Sequence, residues 1–133
     1  MAAQFMIYRT QDLIRKNASG MLDMDRSMAL ARDLAAVAGI YRNHNILLDL
    51  RDTEIVHGAG IGQLMELVMV FTRALPGFSG KIANLIPADP EREHTAKMVE
   101  SLMQVENIDY RYFTDYEAAT DWLADITTVG GQQ

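Results

Sequence analysis

Residues 45–62 constrain the fold of this chain more than any other stretch, because a short apolar run leads into a glycine-spaced turn and then into a new helix. Residues 46–50, Ile-Leu-Leu-Asp-Leu, are almost continuously apolar, which is typical of a strand covered on both faces. The turn that follows carries glycine at 58, 60 and 62. A buried strand that is joined through a tight turn to a helix indicates a unit of a parallel α/β sheet.

Strand-like and helix-like segments alternate along the rest of the chain. The apolar and β-branched runs predict strands at 5–8, 13–15, 46–50, 82–86 and 110–113, the first two as a hairpin or a bent edge strand. Helical spacing and end signals predict a helix that begins at Asp23 or Asp25 and ends near Gly39, and further helices at 61–75, 91–105 and 116–126. This order predicts an α/β fold whose mixed sheet has about four to five strands, parallel in the centre, with about four helices.

Length and composition predict one domain and limit its partners. A chain of 133 residues is long enough to close a single core, which we place at 1–126, with a flexible tail at 127–133. The net charge of −6 disfavours nucleic acid as a partner. No apolar run approaches the ~18 residues that a membrane span needs. The chain has no cysteine and its start does not resemble a signal peptide, so we expect a cytoplasmic protein.

Three segments, taken in order, resemble one known family. They are residues 18–23 (Ala-Ser-Gly-Met-Leu-Asp), 47–52 (Leu-Leu-Asp-Leu-Arg-Asp) and 112–123, which closes with Glu-Ala-Ala-Thr-Asp-Trp-Leu. The chain resembles the STAS domain family (sulfate transporter and anti-sigma factor antagonist), and among its members the small stand-alone SpoIIAA-like bacterial proteins. The resemblance covers nearly the whole chain and implies a STAS-like α/β fold.

In this resemblance the glycine-spaced turn corresponds to the loop in which STAS proteins carry an Asp-Ser-Ser/Thr-Gly-Leu-Gly phosphorylation motif. The corresponding residues here are His57, Gly58, Ala59, Gly60, Ile61 and Gly62. The glycines and the aliphatic residue are present, but the aspartate and both hydroxyl residues are not. We therefore expect no phosphorylation at this loop. Backbone N–H groups at the start of the next helix could still bind a small anion.

Polar residues follow the apolar run at 46–50. Asp49, Arg51, Asp52 and Glu54 should lie at or just beyond the carboxyl end of a central strand, which is where open α/β sheets place their ligands. With His57 they could serve acid–base chemistry or bind a metal. However, the spacing supplies no nucleophile and no third ligand. We favour the alternative that these carboxylates bond Arg51 or backbone groups, and we predict no metal, no cofactor and no enzymatic activity.

The predicted helix at 61–75 has more apolar surface than one contact with a sheet requires. Its polar side chains form only a narrow strip. Three explanations remain open, namely a homodimer interface, cover by a neighbouring helix, and one wall of an apolar cavity. The residues that would form this interface or wall are Met65, Leu67, Met69 and Val70.

Two functional hypotheses follow from these observations, with catalysis ranked below both. The first is a non-enzymatic interaction or regulatory domain that resembles STAS proteins without their phosphorylation switch. It would self-associate, as a homodimer, or bind a protein partner. The alternative is a carrier or sensor of a small apolar or amphipathic ligand, such as a lipid, in a pocket beside the helix at 61–75.

Overall fold

The computed structural model describes residues 5–7, 13–55, 60–74, 78–124 and 127–129. Strands and helices alternate through most of this range. In chain order the elements are β1 (Phe5–Ile7), β2 (Leu13–Leu22), α1 (Met24–Ile40), β3 (Asn45–Ile55), α2 (Ile61–Ala74), β4 (Ile82–Leu85), α3 (Pro90–Val105), β5 (Tyr110–Phe113), α4 (Tyr116–Ala124) and β6 (Thr127–Val129).

The main sheet has the strand order β2-β3-β4-β5, and every neighbouring pair is parallel. One helix crosses over between each pair, as parallel neighbours require. The predicted α/β class, the parallel central strands and the four helices are therefore confirmed. The predicted mixed sheet is not, because the antiparallel pair in the described part of the chain, β1 with β6, forms a separate two-stranded sheet.

The hairpin alternative for the first two strands is wrong, and β2 is an edge strand of the main sheet. β1 pairs with β6 from the opposite end of the chain, whereas β2 pairs with β3. The hairpin was predicted from two neighbouring β-prone runs separated by a short turn. Such a local pattern contains no information about β6, which lies at the other end of the chain. The predicted tail also begins with β6, while residues 130–133 lie outside the described residues. The single domain at 1–126 and the flexible tail at 127–133 stay predictions.

β2 and β3 both run further than their apolar residues predict. Beyond Asp49, β3 leaves β4 and continues beside β2 alone as far as Ile55, with a register shift between Asn17 and Ser19 of β2. Polar residues are stable in this ribbon because the ladder bonds come from the backbone and the ribbon's faces are partly open to solvent. The predicted strand-end residues therefore lie inside β3 and not beyond its end.

The two faces of the main sheet are covered differently. α1, α2 and α3 pack on one face, where the largest cluster of buried apolar side chains includes Leu34, Leu48, Leu64, Phe71, Ile82 and Met103. α4 packs on the other face, and its Ala119 and Leu123 join a smaller cluster with Leu47, Ala83 and Leu85. Alternate residues of β3 and β4 thus contribute to opposite cores, which explains their continuous apolar sequence.

Helices α1 and α3 begin at capping aspartates. The Asp23 carboxylate accepts a hydrogen bond of 2.7 Å from the backbone N–H of Arg26, so Asp23 and not Asp25 caps α1. The Asp89 carboxylate accepts one of 3.0 Å from the backbone N–H of Arg92, with Pro90 in the first turn of α3. Because each crossover helix follows a parallel strand, the N-termini of α1, α2 and α3 meet at the carboxyl ends of the strands. No helix within the described ranges has both the length and the apolar character that crossing a membrane demands.

Candidate functional site

An apolar cavity of about 310 Å³ lies between the sheet and the layer formed by α1, α2 and α3. All three helices and strands β2 to β5 contribute to its wall. Its apolar lining includes Ala31 and Leu34 of α1, Leu67 and Phe71 of α2, Leu48 of β3 and Val99 of α3. The volume is at the lower end of the range of ~300–1,000 Å³ that is typical of small-molecule sites.

The mouth of the cavity lies at the carboxyl ends of the strands. The exposed lining residues are Asp23, just before α1, and Gln63, in the first turn of α2. Ser27 of α1, Ile55 at the end of β3 and Thr95 of α3 are half-buried beside them. The opening is therefore placed where ligands enter open α/β sheets, next to the N-termini of three helices.

One cation is buried in the wall of this cavity. Arg92, in the first turn of α3, is only 8% exposed. Its Nη1 donates to the backbone oxygen of Thr53, and its Nη2 donates to the Thr53 hydroxyl, both at 2.9 Å. That hydroxyl donates in turn to the backbone oxygen of Leu50 at 2.6 Å. Arg92 thereby ties α3 to the end of β3 through uncharged groups.

The Arg92 guanidinium has no carboxylate within 4.0 Å among the described residues. Burial lowers its pKa, and the nearby Asp89 carboxylate partly opposes this shift. An arginine nevertheless stays protonated in a protein. A buried charge that lacks a direct ion pair is costly, so this position is a candidate contact for an anion.

A second polar group in the cavity wall is incompletely bonded. Asn84 projects from β4, and its Nδ2 donates to the Tyr110 hydroxyl of β5 at 2.6 Å. Its Oδ1 is buried and has no hydrogen-bond partner among the residues that the structure describes. Burial raises the pKa of the Tyr110 phenol, which is therefore neutral at physiological pH. An unpaired buried acceptor costs about 1–3 kcal/mol, so the pair Asn84–Tyr110 is the second polar feature of the site.

The four predicted interface or pocket residues of α2 separate into two groups. Leu67 lines the cavity, and Val70 packs against the main core. Met65 and Met69 do not line the cavity but face outward, and together with Ile61 they are between 39% and 54% exposed. We call Ile61, Met65 and Met69 the outer stripe of α2. One helix thus forms both a cavity wall and an exposed apolar surface.

Two residues of the predicted strand-end cluster, Asp49 and Arg51, form an ion-pair network with Arg15 on the opposite face of the sheet. The Asp49 carboxylate accepts hydrogen bonds from Arg51 Nη2 at 2.8 Å and from Arg15 Nη2 at 3.1 Å. Both guanidiniums lie over the Tyr116 ring. The distance from the guanidinium Cζ to the ring centroid is 5.3 Å for Arg15 and 5.5 Å for Arg51. The hydrogen bond from Arg51 is the main cause that holds the pKa of Asp49 below its usual value. Asp52 and Glu54 are exposed along the same strand.

Part of the predicted anion-binding turn lies outside the described residues, namely His57, Gly58 and Ala59. The described part begins at Gly60, whose backbone oxygen accepts from the N–H groups of Gln63 and Leu64 at 3.1 Å. The Gln63 side chain accepts from the Gly60 N–H at 3.2 Å. Ile61 and Gly62 follow as exposed residues of α2. Anion binding at this turn stays a prediction.

The fold and the cavity together define an α/β protein with a four-stranded parallel sheet and a pocket at the carboxyl ends of its strands. No protein-family model matches the chain. Within the ranges that the structure describes, no group of three or more His, Cys, Asp or Glu side chains is arranged to hold a metal ion.

Sequence analysis did not identify three of the polar site residues. Asn84 interrupts the apolar run of β4, and that interruption was the one local signal available. Arg92 stands among charged residues at the start of α3 and resembles a surface residue. Tyr110 has no distinguishing sequence context. Their importance follows from what packs around them.

Proposed function

We propose that this protein binds a small, mainly apolar molecule in the cavity between α1, α2, α3 and the sheet, as a carrier or sensor of that molecule. The cavity of about 310 Å³ is the observation that carries the proposal. It favours the ligand-binding hypothesis over the interaction-domain hypothesis, because the surplus apolar surface of α2 includes a cavity wall.

The size of the cavity supports an occupant. Protein interiors are close-packed, and removing core atoms costs about 24 cal/mol per Å³ of residual void. At that rate an empty, closed cavity of about 310 Å³ would cost on the order of 7 kcal/mol. This upper bound is comparable with the whole stability of a typical domain, about 5–15 kcal/mol. Because the cavity opens to solvent at its mouth, an apolar ligand that fills it would recover less than this bound.

The same volume limits the size of the ligand. An engineered cavity of ~150 Å³ accommodates benzene, so about 310 Å³ should hold roughly a dozen non-hydrogen atoms. A single medium-length alkyl chain or a substituted aromatic ring fits this limit. A complete two-chain lipid does not, unless most of it stays outside the mouth.

We propose binding without catalysis. The most strongly paired carboxylate, Asp49, is neutralised by Arg51 and Arg15 and lies on the face opposite the cavity. The reading that this is a cytoplasmic STAS-like domain without a phosphorylation switch is likewise a proposal, supported by the α/β order and by the absence of hydroxyl residues at 57–62. Nucleic acid is not proposed as a partner because the net charge is −6.

Self-association is a second candidate function, and a separate observation favours it. The outer stripe of α2 exposes three large apolar side chains at successive i, i+4 positions. Such a stripe is suited to pairing with the same helix of a second copy, or to docking a protein partner. This surface and the cavity wall are different faces of α2, so the two functions are compatible.

Native mass spectrometry tests the proposed binding. We expect freshly purified protein to carry an additional mass that organic extraction removes. We also expect octanamide, a neutral probe of suitable size, to raise the unfolding temperature of the extracted protein. Ala31→Leu, which adds three carbon atoms to the cavity wall and so reduces the space, should weaken both effects. Ala36→Leu, at an exposed position of the same helix, should preserve them. Absence of a retained mass together with absence of stabilisation by any medium-chain probe would refute the proposal.

A further inference from the structure

Resting on the proposed function, we infer that the ligand is an anionic amphiphile whose carboxylate pairs with Arg92 while its apolar part fills the cavity. The inference concerns the chemical class of the ligand. It starts from the charge balance of the wall, which the apolar lining alone does not reveal.

The first observation is the incomplete bonding of Arg92. A guanidinium has five N–H donors, and this one directs two of them to Thr53. Both acceptors on Thr53 are uncharged oxygens. Because buried charges in proteins are normally paired, a cation that is 8% exposed in an apolar wall is suited to an anion that arrives with the ligand. The planar guanidinium also matches a carboxylate in geometry.

The second observation is the position of this cation in its helix. Arg92 lies in the first turn of α3, where the helix dipole is positive and disfavours a positive side chain. The Asp89 carboxylate accepts from the backbone N–H of Arg92 and does not form an ion pair with its guanidinium. A sequence that breaks a local rule at the wall of a pocket indicates a functional requirement there.

The remaining charged and polar groups of the wall agree with an anion at Arg92. Among the described lining residues Asp23 is the acidic one, and it is exposed at the mouth, where it caps α1. The charged groups of the described lining are therefore one cation in the wall, Arg92, and one carboxylate at the mouth, Asp23. Asn84 Oδ1 requires a donor, which a carboxylate cannot supply, so Arg92 and not Asn84 is the contact for the anion.

A matched pair of probes tests the inference. Octanoate and octanamide have the same number of non-hydrogen atoms and differ in charge at neutral pH. We expect the extracted wild-type protein to bind octanoate about tenfold or more tightly than octanamide, because hydrogen bonds to charged groups are the stronger ones. In Arg92→Met, octanoate should bind no more tightly than octanamide. Octanamide itself should bind as in the wild type.

Two further variants make the test specific. Arg32→Met removes the same charge from an exposed position of α1 and should keep the preference for octanoate. Arg92→Lys keeps the charge and should retain part of the preference, which provides a readout if Arg92→Met fails to fold. Equal affinity of the wild type for both probes, or an equal loss of preference in Arg32→Met and Arg92→Met, would overturn the inference. If neither probe binds to the wild type, the proposed function itself fails.

Discussion

Replacing an alanine of the cavity wall with leucine should stabilise the protein, whereas the same replacement elsewhere in the core should destabilise it. Ala31 is 2% exposed and lines the cavity. Ala38 is 0% exposed and lies about two turns further along the same face of α1, in the main core but outside the cavity wall. Ala31→Leu and Ala38→Leu therefore add the same atoms to one helix, in one case beside a void and in the other beside packed side chains.

The expected magnitudes have opposite signs. Leucine adds three carbon atoms to alanine, and burial at about 0.8 kcal/mol per methylene contributes roughly 2.4 kcal/mol in Ala31→Leu. Loss of rotamer freedom for leucine offsets about 0.5–1 kcal/mol, which leaves a net stabilisation of roughly 1.5 kcal/mol. At Ala38 the additional atoms meet packed neighbours, and overpacking costs about 1–3 kcal/mol. The two variants should thus differ by about 3 kcal/mol, or roughly 10 °C in unfolding temperature.

Thermal and urea unfolding of extracted protein, followed by Trp122 fluorescence and far-UV circular dichroism, would measure this difference. Extraction is essential because a retained ligand would stabilise the wild type and conceal the gain. Octanamide binding provides an independent readout, since it should be weaker in Ala31→Leu and unchanged in folded Ala38→Leu. If Ala31→Leu destabilises the protein as much as Ala38→Leu does, the cavity has no room for additional atoms and the reasoning is refuted.

Three further predictions concern the rest of the fold. Gly80→Ala should destabilise the protein by about 2 kcal/mol or more, because the added Cβ would overlap a backbone carbonyl. Gly62→Ala, at an open helical position, should stabilise the protein by about 0.5–1 kcal/mol. Equal changes in the free energy of unfolding, measured in urea, would contradict this prediction. Because the pKa of Asp49 is lower in the folded protein than in the unfolded chain, its ionised carboxylate stabilises the fold at pH values above the usual aspartate pKa. This stabilisation is lost as the pH falls through the pKa of Asp49 in the folded protein. Asp49→Asn should therefore be less stable than the wild type at neutral pH, and the unfolding free energies of the two proteins should converge below about pH 4. A difference in unfolding free energy that does not change with pH argues against the ion pairs. If the outer stripe mediates self-association, the double variant Met65→Lys/Met69→Lys should be a monomer where the wild type is a dimer, as measured by light scattering. A molecular mass equal to that of the wild-type dimer would exclude this role of the outer stripe.

The helices and the central strands were predictable because their signals are local. The apolar run of β3, the glycine turn before α2 and the proline at the start of α3 each report on a few consecutive residues. The polar halves of β2 and β3 were not predictable in this way. Their side chains resemble a turn, but each strand is held by backbone hydrogen bonds to the other, and such bonds do not depend on side-chain type.

The candidate site was predictable only in part. The surplus apolar surface of α2 was evident from its sequence, but which residues face inward was not. Leu67 turned out to line the cavity, whereas Met65 faces outward. Arg92 resembled a solvated helix residue, and it is buried because α3 packs against Thr53 at the far end of β3.

The amino-acid sequence by itself determined the alternation of strands and helices, the α/β class with parallel central strands and the apolar excess of α2, since periodicity and end signals depend on neighbouring residues. Tertiary structure alone decided that β1 pairs with β6, that Arg92 is buried with no carboxylate within 4.0 Å among the described residues, and that a cavity opens between three helices and the sheet. A cavity is the space left between elements that are distant in sequence. It therefore depends on how those elements pack, and no single segment of the chain encodes it.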